Sequence, residues 1–319
     1  MDLNFKFDAK FENASVESQF VLKILNWTDS KHLGNIEGQN DLMTFLHDQG
    51  LPVSAPLKSR MGQRTVLRGF DHPDYRERDS PPKYAVRIFP FLPGRLLKVL
   101  APQPDVYFQV GKFAGMLTKC LEKFPSNRAL QERVDRWDLA HLSKSRQFLD
   151  PLKTTDPEKW RKLSRILDEF ESDIYPLLVT LPKAYIHGDL SDSNLIMDDR
   201  DVAGLLDFGD AVYSYRVCEI GIAIAKILLR EDGDKISLSA SWLAGFRTRY
   251  PVSENELSLI FPLALGRLAQ IYILTRAQVE KLTSENDYLQ QLIQPAWDAI
   301  CQLETITKKT VMKKWNIRL

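Results

Sequence analysis

Two short stretches carry residues whose types and spacing suit phosphoryl transfer: His187-Gly188-Asp189-Leu190-Ser191-Asp192-Ser193-Asn194 and Leu206-Asp207-Phe208-Gly209-Asp210. Asp189 and Asn194 are five positions apart, and Asp207 follows Asp189 by eighteen. Moving a phosphoryl group asks little covalent chemistry of a protein. It needs divalent cations on the phosphates and a group that positions the attacking hydroxyl. Asp189, on a turn opened by Gly188 after a strand-like run, is placed to accept the hydroxyl proton. Asn194 offers an amide oxygen and Asp207 a carboxylate, the hard ligands that Mg2+ takes alongside phosphate oxygens. Either motif alone is an ordinary turn. In this order, with a hairpin between them, they point to a kinase-like site.

Lys23 lies inside the apolar run Val21-Leu22-Lys23-Ile24-Leu25, where an ammonium is costly to bury without an anionic partner. Glu37, which begins the following helix, is the expected partner, leaving the lysine directed at nucleotide phosphates. A lysine on the solvent face of an edge strand is the plain alternative. Residues 189–219 hold eight acids against two bases. Metal binding explains Asp207, and a solvated hairpin tip explains the acids at 198–201. Asp192, Asp210 and Glu219 remain, and surplus carboxylates suggest a cationic acceptor such as an amine. Arg216 is the nearest cation for the carboxylate of an amino acid. Alternatively, Asp192 caps a turn and Glu219 merely favours a helix start. For His187 a structural hydrogen bond is expected, and for Trp137 and Asp138 packing and capping.

The elements that must position these groups fall into two parts. Residues 1–92 read as β-rich, with a strand at 19–25 and a helix at 34–49 stopped by Gly50. Further strands at 63–69 and 83–89 flank a charged, proline-rich surface loop at 71–82. Phe89-Pro90-Phe91-Leu92-Pro93-Gly94 reads as a hinge. Residues 93–319 are mainly helical: Asp105 can cap a helix with the buried stripe Val106, Val110, Phe113, Leu117 and Leu121. Amphipathic patterns recur at 157–179, 216–230, 253–282 and 285–313. Strands at 183–187, 194–197 and 202–206 interrupt them, the last two joined by the turn Asp198-Asp199-Arg200-Asp201. The expected fold class is α+β: a small β-rich lobe, a hinge, and a larger helical lobe whose metal-binding hairpin faces the cleft.

Bulk properties narrow the partners. Forty-three basic residues against 42 acidic ones leave a net charge of +1, which argues against nucleic acid and anionic membranes as partners. Cys120, Cys218 and Cys301 lie too far apart for a zinc site and are too few for a disulfide framework, so a reducing compartment is expected. No apolar run approaches a membrane span, and the first residues lack the core of a signal peptide. A soluble, cytoplasmic protein is expected.

Val21-Leu22-Lys23-Ile24, Ile36-Glu37-Gly38-Gln39-Asn40, Phe91-Leu92-Pro93-Gly94-Arg95, His187-Gly188-Asp189-Leu190 and Leu206-Asp207-Phe208-Gly209-Asp210 together resemble the aminoglycoside phosphotransferase and choline kinase family. Within it they are most similar to the branch that acts on 5-hydroxylysine. The likeness runs from about Asn4 onward and implies a protein-kinase-like bilobal fold. It implies transfer of the γ-phosphate of GTP, the favoured donor, or of ATP, to the hydroxyl of 5-hydroxy-L-lysine. Lys23 would then hold phosphates, Glu37 would brace it, Asp189 would be the base, and Asn194 and Asp207 would bind Mg2+. The backbone from Phe89 through Phe91 to Leu92 would face the purine. Another amino alcohol of the choline, homoserine or aminoglycoside type stays open as acceptor. Family members carry a further segment before Asn4, and Asn4 to Asn13 contains no glycine. A shortened phosphate-covering loop, and with it a weakly catalytic nucleotide-binding scaffold, is the competing expectation.

Overall fold

Alternating apolar residues and a two-sided register build one antiparallel sheet from the N-terminal quarter of the chain. It is seen in a computed structural model that describes residues 2–10, 17–69, 82–280, 287–306 and 308–317. Strands β1 (Leu3–Ala9), β2 (Ser18–Ile24), β3 (Val66–Gly69) and β4 (Lys83–Pro90) are ordered β1-β2-β4-β3. Lys23 pairs with Asn4 on one side and Arg87 on the other. Directly opposed residues share a face, so Lys23 and Arg87 point the same way. The short helix α1 (Trp27–Ser30) leads to α2 (Leu33–Asp48), which packs on the sheet through a small cluster of Leu25, Ile36 and Ala85. Helix α2 stops before Gly50, whose φ of +79° suits glycine, as the sequence led us to expect.

One N-terminal expectation changes and another is not reached by the described residues. Most of the stretch expected to be a loop over 4–13 is strand β1, and residues 11–16 lie outside the described residues. The loop expected at 71–82 also lies outside them, except for Pro82.

Beyond Pro90 the two-residue strand β5 (Arg95–Leu96) edges a hairpin that begins much later in the chain. Strand β6 (Lys183–Ile186) precedes that hairpin, which is formed by β7 (Leu195–Asp198) and β8 (Asp201–Leu205). Asp199, in its two-residue turn, takes φ 51°, a left-handed conformation that aspartate tolerates. Strand β9 (Val212–Tyr215), which the sequence reading missed, pairs with β6 and closes a loop around the catalytic motifs.

Helices make up most of the rest. They are α3 (Pro104–Leu121), α4 (Arg128–Gln131), α5 (Asp150–Thr155), α6 (Pro157–Glu169), α7 (Tyr175–Leu178) and α8 (Val217–Leu228). These are followed by α9 (Lys235–Arg247), α10 (Glu254–Val279), α11 (Asp287–Thr305) and α12 (Lys308–Lys314). Helix α3 buries its expected stripe, but Gln103 occupies its N-cap position without a side-chain bond and Pro104 opens it, so Asp105 sits in the first turn instead. The 157–179 pattern is split by a π-turn at Phe170–Ile174, and the 285–313 pattern is two helices.

Helices α3 and α9 cross in close backbone contact: a β-carbon on Gly111 would lie 1.8 Å from the Trp242 carbonyl oxygen. One on Gly245 would lie 2.0 Å from that of Phe108. No side chain fits at either point, which is why α9 carries glycine inside a helix despite its poor propensity. Helix α10 is started by a capping box between Ser253 and Glu256. Contrary to expectation, it is long and apolar enough to cross a membrane by length and composition, yet 83% of its most apolar window is buried within this protein.

Candidate active site

Strand β6 delivers the chain to a turn whose backbone is held from three sides. Glu219, near the start of α8 and 1% exposed, accepts the N–H groups of His187 at 2.5 Å and Gly188 at 3.2 Å. Arg267 of α10, also 1% exposed, donates to the Gly188 carbonyl at 3.3 Å. His187 is fully buried: its Nδ1 accepts the Asp189 N–H at 3.2 Å, so Nε2 carries the proton toward the Leu206 carbonyl, 2.9 Å away. Burial lowers the His187 pKa, keeping the ring neutral and fixed in that structural role. Gly188 adopts φ +78°, and a β-carbon there would sit 2.7 Å from the Asp210 carbonyl oxygen. The glycine is therefore required both by its conformation and by the close approach of the Asp210 backbone.

This turn projects Asp189. Its Oδ2 accepts from Asn194 Nδ2 at 2.8 Å, and its Oδ1 lies 2.7 Å from Lys226 Nζ. Burial pushes the Asp189 pKa up, but Lys226 and Arg267 outweigh it and hold the carboxyl below its ordinary value. The group is ionised, as a proton acceptor must be. The Leu206 N–H bonds to the Asn194 carbonyl at 2.8 Å, which ties the open end of the hairpin and sets Asp207 beside Asn194. Asp207, at φ 57°, reaches across to the sheet: its Oδ1 accepts from Lys23 Nζ at 2.8 Å and from the Gly209 N–H at 3.3 Å. Lys23 also meets Asp2 at 3.1 Å. Burial works against the ammonium, but Asp207 and Asp2 prevail and raise its pKa. The same pairing overcomes burial at Asp207 and lowers its pKa.

The donor set fits a hard divalent cation. Asn194 is buried and commits its amide nitrogen to Asp189, which orients its Oδ1 away from that carboxylate. Asp207 uses one oxygen for Lys23 and is half exposed, so the other can meet a cation that keeps water and phosphate oxygens as its remaining ligands.

The structure thus brings Lys23, Asp189, Asn194 and Asp207 together. Asp210 joins them: burial first, then the charges of Asp189 and Asp135, push its pKa to about 7. Other expected residues are placed differently. Glu37 does not brace Lys23; it accepts from Asn40 Nδ2 at 3.1 Å, and Lys23 takes its anion from Asp207 instead. The Phe91 N–H is spent on the Gln19 carbonyl at 2.9 Å, and the Lys6 ammonium sits 3.9 Å from its ring centroid, so that N–H is not free for a purine. Phe89 packs against the main core, with the Arg87 guanidinium 5.4 Å from its ring. Asp192 is paired with Arg230 at 2.9 Å. Arg216 is saturated by Glu256 at 2.7 Å, Glu122 at 3.0 Å and the Tyr250 hydroxyl at 2.6 Å. Glu219 serves the backbone of the turn, as described. Asp138 caps Ala140 as expected and also receives the Ser214 hydroxyl.

Sequence reasoning missed Lys226 and Arg87. Arg87 is 4% exposed and donates to Asn40 Oδ1 at 3.1 Å and Gln39 Oε1 at 3.4 Å, while Gln39 Nε2 donates to the Gly209 carbonyl at 3.2 Å. The signal that found Lys23, a cation inside an apolar run, was present for both, in Ala85-Val86-Arg87-Ile88 and in Ala223-Ile224-Ala225-Lys226-Ile227.

A lysine from the sheet meeting Asp207, beside Asp189 and Asn194 in the helical part, is an arrangement that suits phosphoryl transfer to a hydroxyl acceptor. The chain belongs to the phosphotransferase enzyme family, APH, whose sequence profile matches residues 6–255. It is similar to the hydroxylysine kinase of Xenopus laevis, with 27% identity across 98% of this chain and 85% of that one. Among solved structures it resembles the amicoumacin kinase hAmiN bound to AMP-PNP, Ca2+ and Ami, with a TM-score of 0.64 and 17% identity over 94% of this chain and 86% of that one. A microcompartment-associated aminopropanol kinase aligns with a TM-score of 0.62 and 16% identity over 98% of this chain and 94% of the other. Both structures bear on the fold, which is protein-kinase-like. The chain is accordingly a phosphotransferase acting on a hydroxyl acceptor.

Proposed function

We propose that this kinase transfers the γ-phosphate of GTP, or less efficiently of ATP, to the hydroxyl of 5-hydroxy-L-lysine. The observation that carries the reading is the convergence of four groups from three segments of the chain: Lys23 on Asp207 at 2.8 Å and Asn194 on Asp189 at 2.8 Å. The acceptor assignment is supported by the near full-length likeness to hydroxylysine kinases. Residues 1–92 would hold the nucleotide and residues 93–319 the acceptor and the catalytic turn.

Asp189 accepts the hydroxyl proton, and Asn194 and Asp207 are the ligands for Mg2+, which when bound neutralises charge on the phosphate oxygens. Lys23 exchanges part of its contact with Asp207 for the phosphates. In this reading the hinge segment from Phe89 to Leu92 faces the purine. Asp210, protonated or ionised near neutrality, lines the acceptor side beside Asp189, and Asp192 lies further out with Arg230. Arg216 and Glu219 serve the fold in this reading.

The test is a phosphoryl-transfer screen with Mg-GTP and Mg-ATP against 5-hydroxy-L-lysine, homoserine and choline. We expect hydroxylysine-dependent formation of nucleoside diphosphate, with the higher kcat/KM for GTP. Turnover confined to another amino alcohol would overturn the acceptor. Each magnesium nucleotide, at a hundred times its Kd, is expected to add about 2.7 kcal/mol to unfolding stability. Asp207→Ala is expected to remove the magnesium-dependent part of that gain. No shift with either nucleotide would count against nucleotide-dependent function altogether.

A further inference from the structure

We propose that Lys226 is a positioning residue of the phosphoryl-transfer centre, fixing the Asp189 carboxylate jointly with the Asn194 amide, one contact on each oxygen. The inference rests on the reading of Asp189 as the base and deepens it.

Lys226 extends from the last turn of α8, whose only other charged residue is Glu219, and its side chain is only 18% exposed. A cation at a helix C-terminus is favoured by the dipole, which accounts for a lysine there but not for its burial. Burial needs an anion, and Asp189 Oδ1 supplies it at 2.7 Å. Asn194 Nδ2 meets Oδ2 of the same group at 2.8 Å.

The same helix carries Glu219, seven residues earlier and so two turns back on the same face. Glu219 takes the backbone N–H groups of the turn, and Lys226 takes its carboxylate. A single rigid element therefore sets both the position of Asp189 and the plane of its carboxyl group. Arg230, one turn further on, is occupied by Asp192 at 2.9 Å and Asp232 at 3.0 Å, so it does not compete for Asp189.

Each carboxylate oxygen has two acceptor sites, so two contacts lock rotation and still leave capacity for the acceptor proton. With Lys226 removed, only Asn194 would restrain the carboxylate. Asn194 is itself committed to the metal side. A misplacement on the order of 1 Å costs about a hundredfold in rate.

Lys226→Met and Lys226→Arg are compared with wild type in the full chain, using Mg-GTP and 5-hydroxy-L-lysine. If wild type leaves hydroxylysine untouched but turns over another amino alcohol, the acceptor assignment fails and the comparison is made on that acceptor. Lys226→Met is expected to lower kcat about a hundredfold with both KM values within about threefold, and Lys226→Arg to recover much of the loss. A second readout needs no nucleotide. Lys226→Met should lower the unfolding midpoint of wild type, and that loss should vanish or reverse in an Asp189→Asn background, because the two residues are coupled. Unchanged kcat would overturn the proposal. So would a raised acceptor KM with kcat intact, which would make Lys226 a substrate contact. Equal loss of stability in both backgrounds would overturn it too.

Discussion

If Asp189 is the base, Asp189→Asn is expected to lower kcat by about a thousandfold, within the 10²–10⁴ that a well-placed base contributes, while the protein stays folded and still binds magnesium nucleotide. The substitution keeps shape and removes charge. Asparagine retains an oxygen to accept from Asn194 Nδ2, now 2.8 Å from the Asp189 carboxylate, so the hairpin end keeps its anchor. What disappears is the lone pair basic enough to take the acceptor proton. The electrostatic consequences elsewhere are small or favourable. Asp189 repels Asp207, and its charge also helps push the Asp210 pKa to about 7, so neutralising it relieves both. Lys226 loses its anion at 2.7 Å, which offsets part of that relief. Single-turnover kinetics, an unfolding midpoint and nucleotide titration on the same preparation separate these effects. Activity near wild type in the folded variant would remove Asp189 as the base. Loss of nucleotide binding would mean that its charge organises the phosphate side instead.

What could be read from the sequence follows from how local each feature is. The hairpin β7–β8 and the two motifs at its ends are set by fewer than thirty consecutive residues, from His187 to Asp210, and their ligand geometry follows from one turn. The partner of Lys23 is not local. Asp207 lies 184 positions away, and the nearer Glu37 was the natural guess until the sheet register showed that Arg87 shares the face of Lys23. The surplus acids are ambiguous in the sequence for a similar reason. A carboxylate aimed at a ligand and one aimed at backbone N–H groups look alike in a sequence, and Glu219 proved to be the second kind. Helix α9 is hard to read in the sequence because its serines and its glycine, the latter allowing α3 to approach so closely, dilute the apolar pattern. Helix α10 has the apolarity of a membrane span because it is buried on most sides by other helices, a fact of tertiary packing.

Glu219→Ala should have the largest effect on stability of any single change near the site. It leaves the N–H groups of His187 and Gly188 buried without an acceptor, at about 1–3 kcal/mol each, or roughly 2–6 kcal/mol in all. The turn that carries Asp189 loosens with them, so kcat should fall in the folded fraction as well. A loss below about 1 kcal/mol would mean that the turn is held by His187 and Arg267 alone.

Glu219→Gln isolates the charge. Burial raises the Glu219 pKa from 4.5 to about 7, against the opposing pull of the two backbone N–H groups. The folded protein therefore keeps this proton to a higher pH than the unfolded chain does. Between pH 4.5 and about 7 the unfolded state has released it and the folded state has not, so this group's contribution to stability falls as pH rises and is level on either side. Glutamine does not titrate. The stability difference between wild type and Glu219→Gln should thus drift in the variant's favour across that window, by about 3 kcal/mol, and stay constant above it. Denaturant titrations at pH 5, 6, 7 and 8 (roughly spanning the window) measure the drift. A difference that stays flat from pH 5 to 8 would show that the two N–H bonds dominate burial, and that Glu219 is ionised throughout the range in which the enzyme works.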